Sequence, residues 1–418
     1  MGGVVRQKRD RGTLRIAFLT PEFTTESKFD GGLANYLNRV ARLLGQVGHE
    51  PHVLVASDRT ESFVDRGLWV HRVNVTQGVL PNVHRGLRRL LRQRWLRCFD
   101  VLATACALAR SLHFLQREMA FDLVQVSDFK GTGLFVRRQA GCPLIARLSY
   151  AAPLLLQASG RRPTVDWRLG EWLERRSVLR AFAVFAPSRF VAEWASRNLG
   201  REVEVIPSPI VLDVASTEED PTLAESLVRG ERLFLFFGRV CLEKGVDIFL
   251  RAARSLLKDC SDVLFVVVGR ENPPGLLKEL TRDWGGSERA RVVFLPSMGH
   301  RQLYPLIRAA RAVVLPSRVD NFPNTCLEAM ALGSIVVGTA EAGFDELIED
   351  GRTGFLIPKG DSDVLERRLR YLLTLDGEDV SRLKQNILTK VGEYHSDKVI
   401  TELVARYRDW IAASRRGA

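Results

Sequence analysis

Two acidic side chains eight residues apart, Asp320 and Glu328, lie in a segment whose character changes between them. Asp320 precedes the turn-rich stretch Asn321-Phe322-Pro323-Asn324-Thr325, whereas Glu328 sits in an apolar run of helical character. A loop opening into a helix turns unpaired backbone N–H groups toward any anion in front of it. Carboxylates beside that site cannot bind phosphate, but they accept hydrogen bonds from sugar hydroxyls. The segment therefore suits a ligand that is phosphate at one end and polyhydroxyl at the other. Upstream, Arg239 and Lys244 flank a turn between an apolar run, 233–237, and a helix predicted from Val246 or Asp247. Two cations held there would stabilise the charge that gathers on a departing diphosphate, and so favour a transition state over its ground state.

These residues need a scaffold, and the chain supplies one by alternating short apolar runs with longer periodic ones, the mark of βα units around parallel sheets. Strands are predicted at 14–19, 53–56, 68–73, 122–126, 144–148, 182–186 and 203–206, then at 233–237, 263–268, 292–295, 312–315, 335–337 and 354–357. Pro207-Ser208-Pro209 and the acidic stretch 213–220 read as a hinge linker between two halves. A last helix, around 398–413, carries Ile400, Leu403, Val404, Tyr407 and Ile411 on one face.

The segment 316–358 resembles the C-terminal signature of glycosyltransferase family 4 (glycosyl transferases group 1), whose E-x7-E pair stands here as Asp320 and Glu328. The first acid is one methylene shorter than usual. FFGRVCLEKGVDIFLRAA, GGLANYLNRVARLLGQVGHE, APSRFVAEWASRNLG and IPSPI extend the resemblance over nearly the whole chain in order. It implies a GT-B fold: two Rossmann-like, doubly wound parallel-sheet domains facing a cleft. Residues 1–208 would form the acceptor-side domain, joined by the helix 398–418, and 209–397 the nucleotide-sugar domain.

By the same resemblance, Arg239 and Lys244 hold the donor diphosphate, Asp320 contacts the donor sugar and Glu328 the ribose. Gly31, Gly32, Gly238 and the turn 321–325 line the donor site, with turn backbone donors facing sugar and phosphate. Asp345 and Glu346, after Gly343, either shape the donor loop or form a charge pair at a helix start. The family implies a retaining enzyme using a UDP- or GDP-sugar, with no cofactor and no essential metal, acting on a sugar- or lipid-linked acceptor. Many members carry a histidine just after the strand that here reads LIARLSY; Ser149 takes its place, with Arg147 and Tyr150 beside it. Ser149 and Arg147 are candidate sugar or acceptor contacts, and a hydroxyl supplies neither the charge nor the reach of imidazole.

Composition narrows the alternatives. The chain has 418 residues and a formal charge of +12, which favours anionic partners. Residues 85–97 hold arginines 85, 88, 89, 92, 94 and 97 and no acid, with Leu87, Leu91, Trp95, Cys98 and Leu102 at helical spacing. A basic amphipathic helix over 85–102, suited to an anionic membrane surface, is expected. No apolar run is long enough to read as a transmembrane span. Six cysteines without C-x-x-C spacing read as reduced thiols of a cytoplasmic protein. Asp361-Ser362-Asp363 reads as a helix cap rather than a metal motif, and His49 and His52 as structural. No aromatic-interleaved basic sheet points to nucleic acid, and Gly131-Thr132-Gly133 lacks the third glycine of a dinucleotide fingerprint. A sugar-nucleotide-binding partner protein without turnover and a nucleotide-sugar epimerase of the same fold remain as alternatives.

Overall fold

The computed structural model describes residues 12–26, 32–75, 96–159, 162–210, 218–228 and 232–416. Gly31, residues 85–95 and most of the acidic linker stretch lie outside them. The first sheet contains β1 (Arg15–Thr20), β2 (Glu50–Ser57), β3 (Glu61–Asp65), β4 (Leu68–Asn74), β5 (Leu123–Ser127), β6 (Leu144–Arg147), β7 (Ala183–Ala186) and β8 (Glu204–Val205). Its order is β3-β4-β2-β1-β5-β6-β7-β8, parallel apart from the β3–β4 hairpin. The second contains β9 (Arg232–Phe237), β10 (Val263–Val268), β11 (Val292–Leu295), β12 (Ala312–Val314), β13 (Val336–Thr339) and β14 (Phe355–Ile357), all parallel, in the order β11-β10-β9-β12-β13-β14.

Strands covered on both faces must be apolar throughout, which is why VLFVVV of β10 and RLFLFF of β9 read as continuous runs. Helices crossing between parallel strands cover both sheets. The strand order reverses between β1 and β5 in one sheet and between β9 and β12 in the other. Ligands of doubly wound sheets bind outside the carboxyl ends of the strands at such reversals. Arg239 and Lys244 follow β9 and Asp320 follows β12, so the candidate residues of the second sheet flank its reversal.

The sequence reading missed only β3 among these strands. Arg66 and Gly67 both have positive φ, forming the tight turn that folds β3 onto β4. The final helix, Ser396–Arg416, returns to the first sheet: Ile400, Leu403, Val404, Tyr407, Trp410 and Ile411 pack with Ile16, Phe18, Phe185 and Ile206. Tyr407 donates to Gln125 of β5, tying that helix to the sheet.

The helix Leu96–Glu118 corrects two expectations. Its stretch from Arg97 is long and apolar enough, by composition, to cross a membrane. It nevertheless buries Val101, Thr104, Ala105, Leu108 and Leu112 within the first domain. Arg97 does not join an outward basic face. Its guanidinium pairs with buried Glu174 at 2.7 Å and lies over the Trp167 ring, and Cys98 and Leu102 are half-buried.

Candidate active site

Two glycines hold the second-domain loops together. Gly245 has φ +76°, and a Cβ there would meet the Pro316 carbonyl oxygen at 1.9 Å. Gly343 has φ +88°, and its Cβ would meet the Asp320 carbonyl oxygen at 2.2 Å. Only glycine tolerates both the conformation and the approach. Arg318 completes the clamp with two 2.8 Å bonds to Asp247 and a bond to the Leu242 carbonyl. The turn 242–247 is thereby bolted to the loop 316–320. Sequence reasoning missed Arg318, whose partner lies 71 residues away.

On this frame the predicted residues converge. Lys244, closing a short 3-10 turn, donates from Nζ to Asp320 Oδ2. Arg239 stands exposed in the loop after β9. Gly238, with φ +119°, lies against Thr325 at the start of the helix Asn324–Ala331, 3.5 Å from its Cγ2 to an added Cβ. No side chain caps that helix, so of its first-turn donors the N–H groups of Thr325 and Cys326 are left to water or a ligand.

The turn before it contributes less than its sequence suggested. Phe322 and Pro323 are buried, Phe322 against Tyr394, and proline has no N–H. The Asn324 N–H is taken by the Phe322 carbonyl and that of Asp320 by Ala342. The half-buried polar side chains of this turn are Asn321, Asn324 and Thr325, and that of Asn321 is engaged by the Ser149 carbonyl.

Glu328, one turn into the helix, is half-buried, with His300 Nε2 3.5 Å from its Oε1. Burial raises its carboxyl above the usual range, opposed by His300, by Arg39 of the first domain and by the Tyr304 hydroxyl. His300 stacks on Tyr304 at 4.7 Å, giving the carboxylate an aromatic flank. Arg39 also donates to the Pro209 carbonyl at 2.7 Å. His300 belongs to none of the quoted segments, and Arg39 lies in the segment 31–50 without an assigned role, so only the fold reveals what they face.

In the first domain, Gly32 opens the helix Gly32–Gln46 with open space around a virtual Cβ, so packing does not demand glycine there. Ser149 and Arg147 stand at the end of β6. Arg147 is only 4% exposed; its guanidinium lies 3.4 Å from the Tyr36 ring centroid and donates to Ser149 Oγ at 2.6 Å and Ser208 Oγ at 3.0 Å. That burial makes Arg147 a support for Ser149 rather than the sugar contact expected from sequence. Half-buried Asp128 accepts the N–H groups of Ser149, Tyr150 and Ala151, fixing the loop in which Ser149 stands.

The two domains touch around this loop. Asn321 Nδ2 donates to the Ser149 carbonyl at 2.8 Å, and Ser188 Oγ donates to the Asn321 carbonyl. Val319 packs into the core of the first domain. Glu346 accepts the N–H groups of Arg189 and Phe190, capping the helix Arg189–Leu199 from across the interface. No helix starts at Asp345 and Glu346, so of the two readings given to them the helix-start charge pair falls away; Asp345 accepts the Glu341 N–H within a turn. Asp361 caps the helix Ser362–Thr374, His49 accepts the Leu14 N–H, and His52 contacts His71 at 3.0 Å.

Residues 30–214 match the family described as Glycosyltransferase Family 4, and residues 231–375 match Glycosyl transferases group 1. The 2-deoxystreptamine N-acetyl-D-glucosaminyltransferase of Streptomyces fradiae is 27% identical, covering 92% of this chain and 94% of that protein. The alpha-D-kanosaminyltransferase of Streptomyces kanamyceticus is also 27% identical, over 71% of this chain and 79% of its own length. A D-inositol 3-phosphate glycosyltransferase of Mycobacterium tuberculosis (strain F11) is 32% identical over 45% of this chain and 44% of that protein. Among solved structures, sucrose-phosphate synthase from Thermosynechococcus elongatus superposes with TM-score 0.75 at 17% identity, covering 96% of this chain and 100% of its own. An Anabaena protein solved with UDP and glucose gives 0.68 at 19%, covering 95% and 100%.

Proposed function

Because the chain is a glycosyltransferase of the family 4 type with the GT-B fold, we propose that it uses a UDP- or GDP-sugar and retains the anomeric configuration. The observation that supports this reading is the meeting, at the strand reversal of the second sheet, of Arg239, Lys244, the uncapped helix start at Asn324 and the carboxylates of Asp320 and Glu328. Cations and N–H donors suit a diphosphate, and the two acids suit the hydroxyls on either side of it.

In the proposed step, the acceptor hydroxyl forms a new bond to the anomeric carbon as the bond to the diphosphate oxygen breaks. The bonding pair leaves with the diphosphate, and its oxygen takes the acceptor proton. Arg239, Lys244 and the helix start stabilise the charge that develops there, the largest contribution such a site makes. The reading needs no bound metal. Asp320 must exchange its bond to Lys244 for donor hydroxyls while Lys244 turns to phosphate.

The acceptor is a polyhydroxyl compound, sugar- or lipid-linked. The names of two relatives include a cyclitol, 2-deoxystreptamine in one and inositol phosphate in the other, which supports a cyclitol among the acceptors to test. Incubation with labelled UDP- and GDP-sugars, followed by NMR of the product's anomeric centre, tests the proposal. A product of the donor's configuration supports it. Inversion overturns retention, and nucleotide binding without turnover would favour the sugar-nucleotide-binding partner.

A further inference from the structure

We propose that the outward face of the helix Val165–Leu179 docks on an anionic lipid bilayer. Val165, Leu169 and Trp172 recur at spacings of four and three, so they line one side of the helix. They are 64%, 38% and 50% exposed. Arg168, Arg175 and Arg176 are exposed beside them, and Arg176 lies 5.3 Å from the Trp172 ring centroid. An apolar ridge containing tryptophan and edged by arginines is the form of a helix that lies in a lipid–water interface.

The acids of the same helix sharpen the asymmetry. Asp166 accepts the N–H groups of Arg97 and Cys98, thereby capping the neighbouring helix, and Glu174 is buried against Arg97. Glu171, half-buried, is the remaining acid. The exposed residues of the face are thus apolar, arginine or the capping Thr164.

Charge decides between occupants. A second copy meeting this face about a two-fold axis would set arginines against arginines. An anionic bilayer instead attracts each of them while accepting Trp172 and Leu169. The helix that carries this face also lies close to the cleft. The helix's inward Glu174 accepts the Lys130 N–H, and it interacts with Tyr150, which is likewise within electrostatic reach of Arg239. Docking here would set the mouth of the acceptor-side domain beside the membrane, where a lipid-linked acceptor resides. The bilayer contact does not depend on the donor or acceptor assignment.

Co-sedimentation of the full chain with phosphatidylcholine vesicles, with and without phosphatidylglycerol, tests the proposal. Binding is expected only with phosphatidylglycerol and should fall as salt rises. Leu169→Glu/Trp172→Glu should weaken it about tenfold or more, as should Arg168→Gln/Arg175→Gln/Arg176→Gln, the milder change should the first fail to fold. Unchanged thermal unfolding serves as the folding control. Wild-type protein left in the supernatant overturns the proposal, and so does binding equal in both variants. A concentration-dependent dimer lost in the glutamate variant, without vesicle binding, would assign the face to self-association instead.

Discussion

Lys244 and Asp320 are ion-paired, although one residue follows β9 and the other follows β12. The pair spans the strand reversal where the donor is proposed to bind, so donor binding must break or share it. Each partner holds the other in place before a ligand arrives. Removing either has two consequences: one ligand contact is lost, and the surviving charge loses its partner.

Arg239→Ala and Lys244→Ala should each lower kcat by about 10²–10³, or about 3 kcal/mol, as loss of a transition-state donor does. Steady-state kinetics with the preferred sugar nucleotide would show this. Near-normal kcat in either variant would remove that residue from the diphosphate site.

Glu328→Gln should weaken binding of free nucleotide about ten- to a hundredfold, the scale of a hydrogen bond to a charged group at about 1.5–3 kcal/mol. Asp320→Asn should instead spare free nucleotide and impair the intact sugar conjugate. Calorimetry with both ligands separates the two. Equal losses toward free nucleotide would show the roles misassigned.

Glu346→Ala should uncap the helix Arg189–Leu199 and loosen the domain interface by about 1 kcal/mol, the usual worth of a helix cap. Donor KM should rise severalfold while kcat changes less. A variant with unchanged KM and unchanged thermal unfolding would contradict that interface role.

Glu174 predicts a pH dependence. Burial raises its carboxyl from 4.5 to about 7, against the pull of Arg97 and of the Lys130 N–H. A carboxyl raised on folding contributes its stability fully below the unfolded value and loses it as pH climbs through the folded one. Wild-type stability relative to Glu174→Gln should therefore fall between pH 4.5 and about 7, by up to about 3 kcal/mol at 1.36 kcal/mol per pKa unit. Parallel denaturation series across that window would measure it, and a constant difference would contradict it.

The parallel strands were legible because burial on both faces demands uninterrupted apolar runs, as in β10. β3 was not, since an edge strand with the pattern ESFVD buries little; its signal was the turn Arg66-Gly67. Arg239, Lys244, Asp320 and Glu328 could be chosen because each sits in a recognisable segment. Arg318, Arg39, His300 and the cap by Glu346 were hidden, because their meaning lies in partners brought near only by folding. Arg147 shows the opposite limit: a strand-end arginine reads as a ligand contact, and only its stacking on Tyr36 reveals it as buried support.

A chelator tests the metal-free reading. Activity should be unchanged after exhaustive EDTA treatment, as expected if Arg239, Lys244 and the helix start neutralise the diphosphate. Loss of activity restored by added magnesium or manganese would contradict it.

Calorimetric titration of the wild-type protein and of Arg239→Ala/Lys244→Ala with UDP, GDP and their sugar conjugates tests the central claim most directly. The wild type should bind one nucleotide series, with the sugar conjugate held at the Asp320 site, and the double variant should lose most of that affinity. Absence of binding to every sugar nucleotide, or equal affinity in the double variant, would contradict the placement of the donor at the strand reversal between β9 and β12.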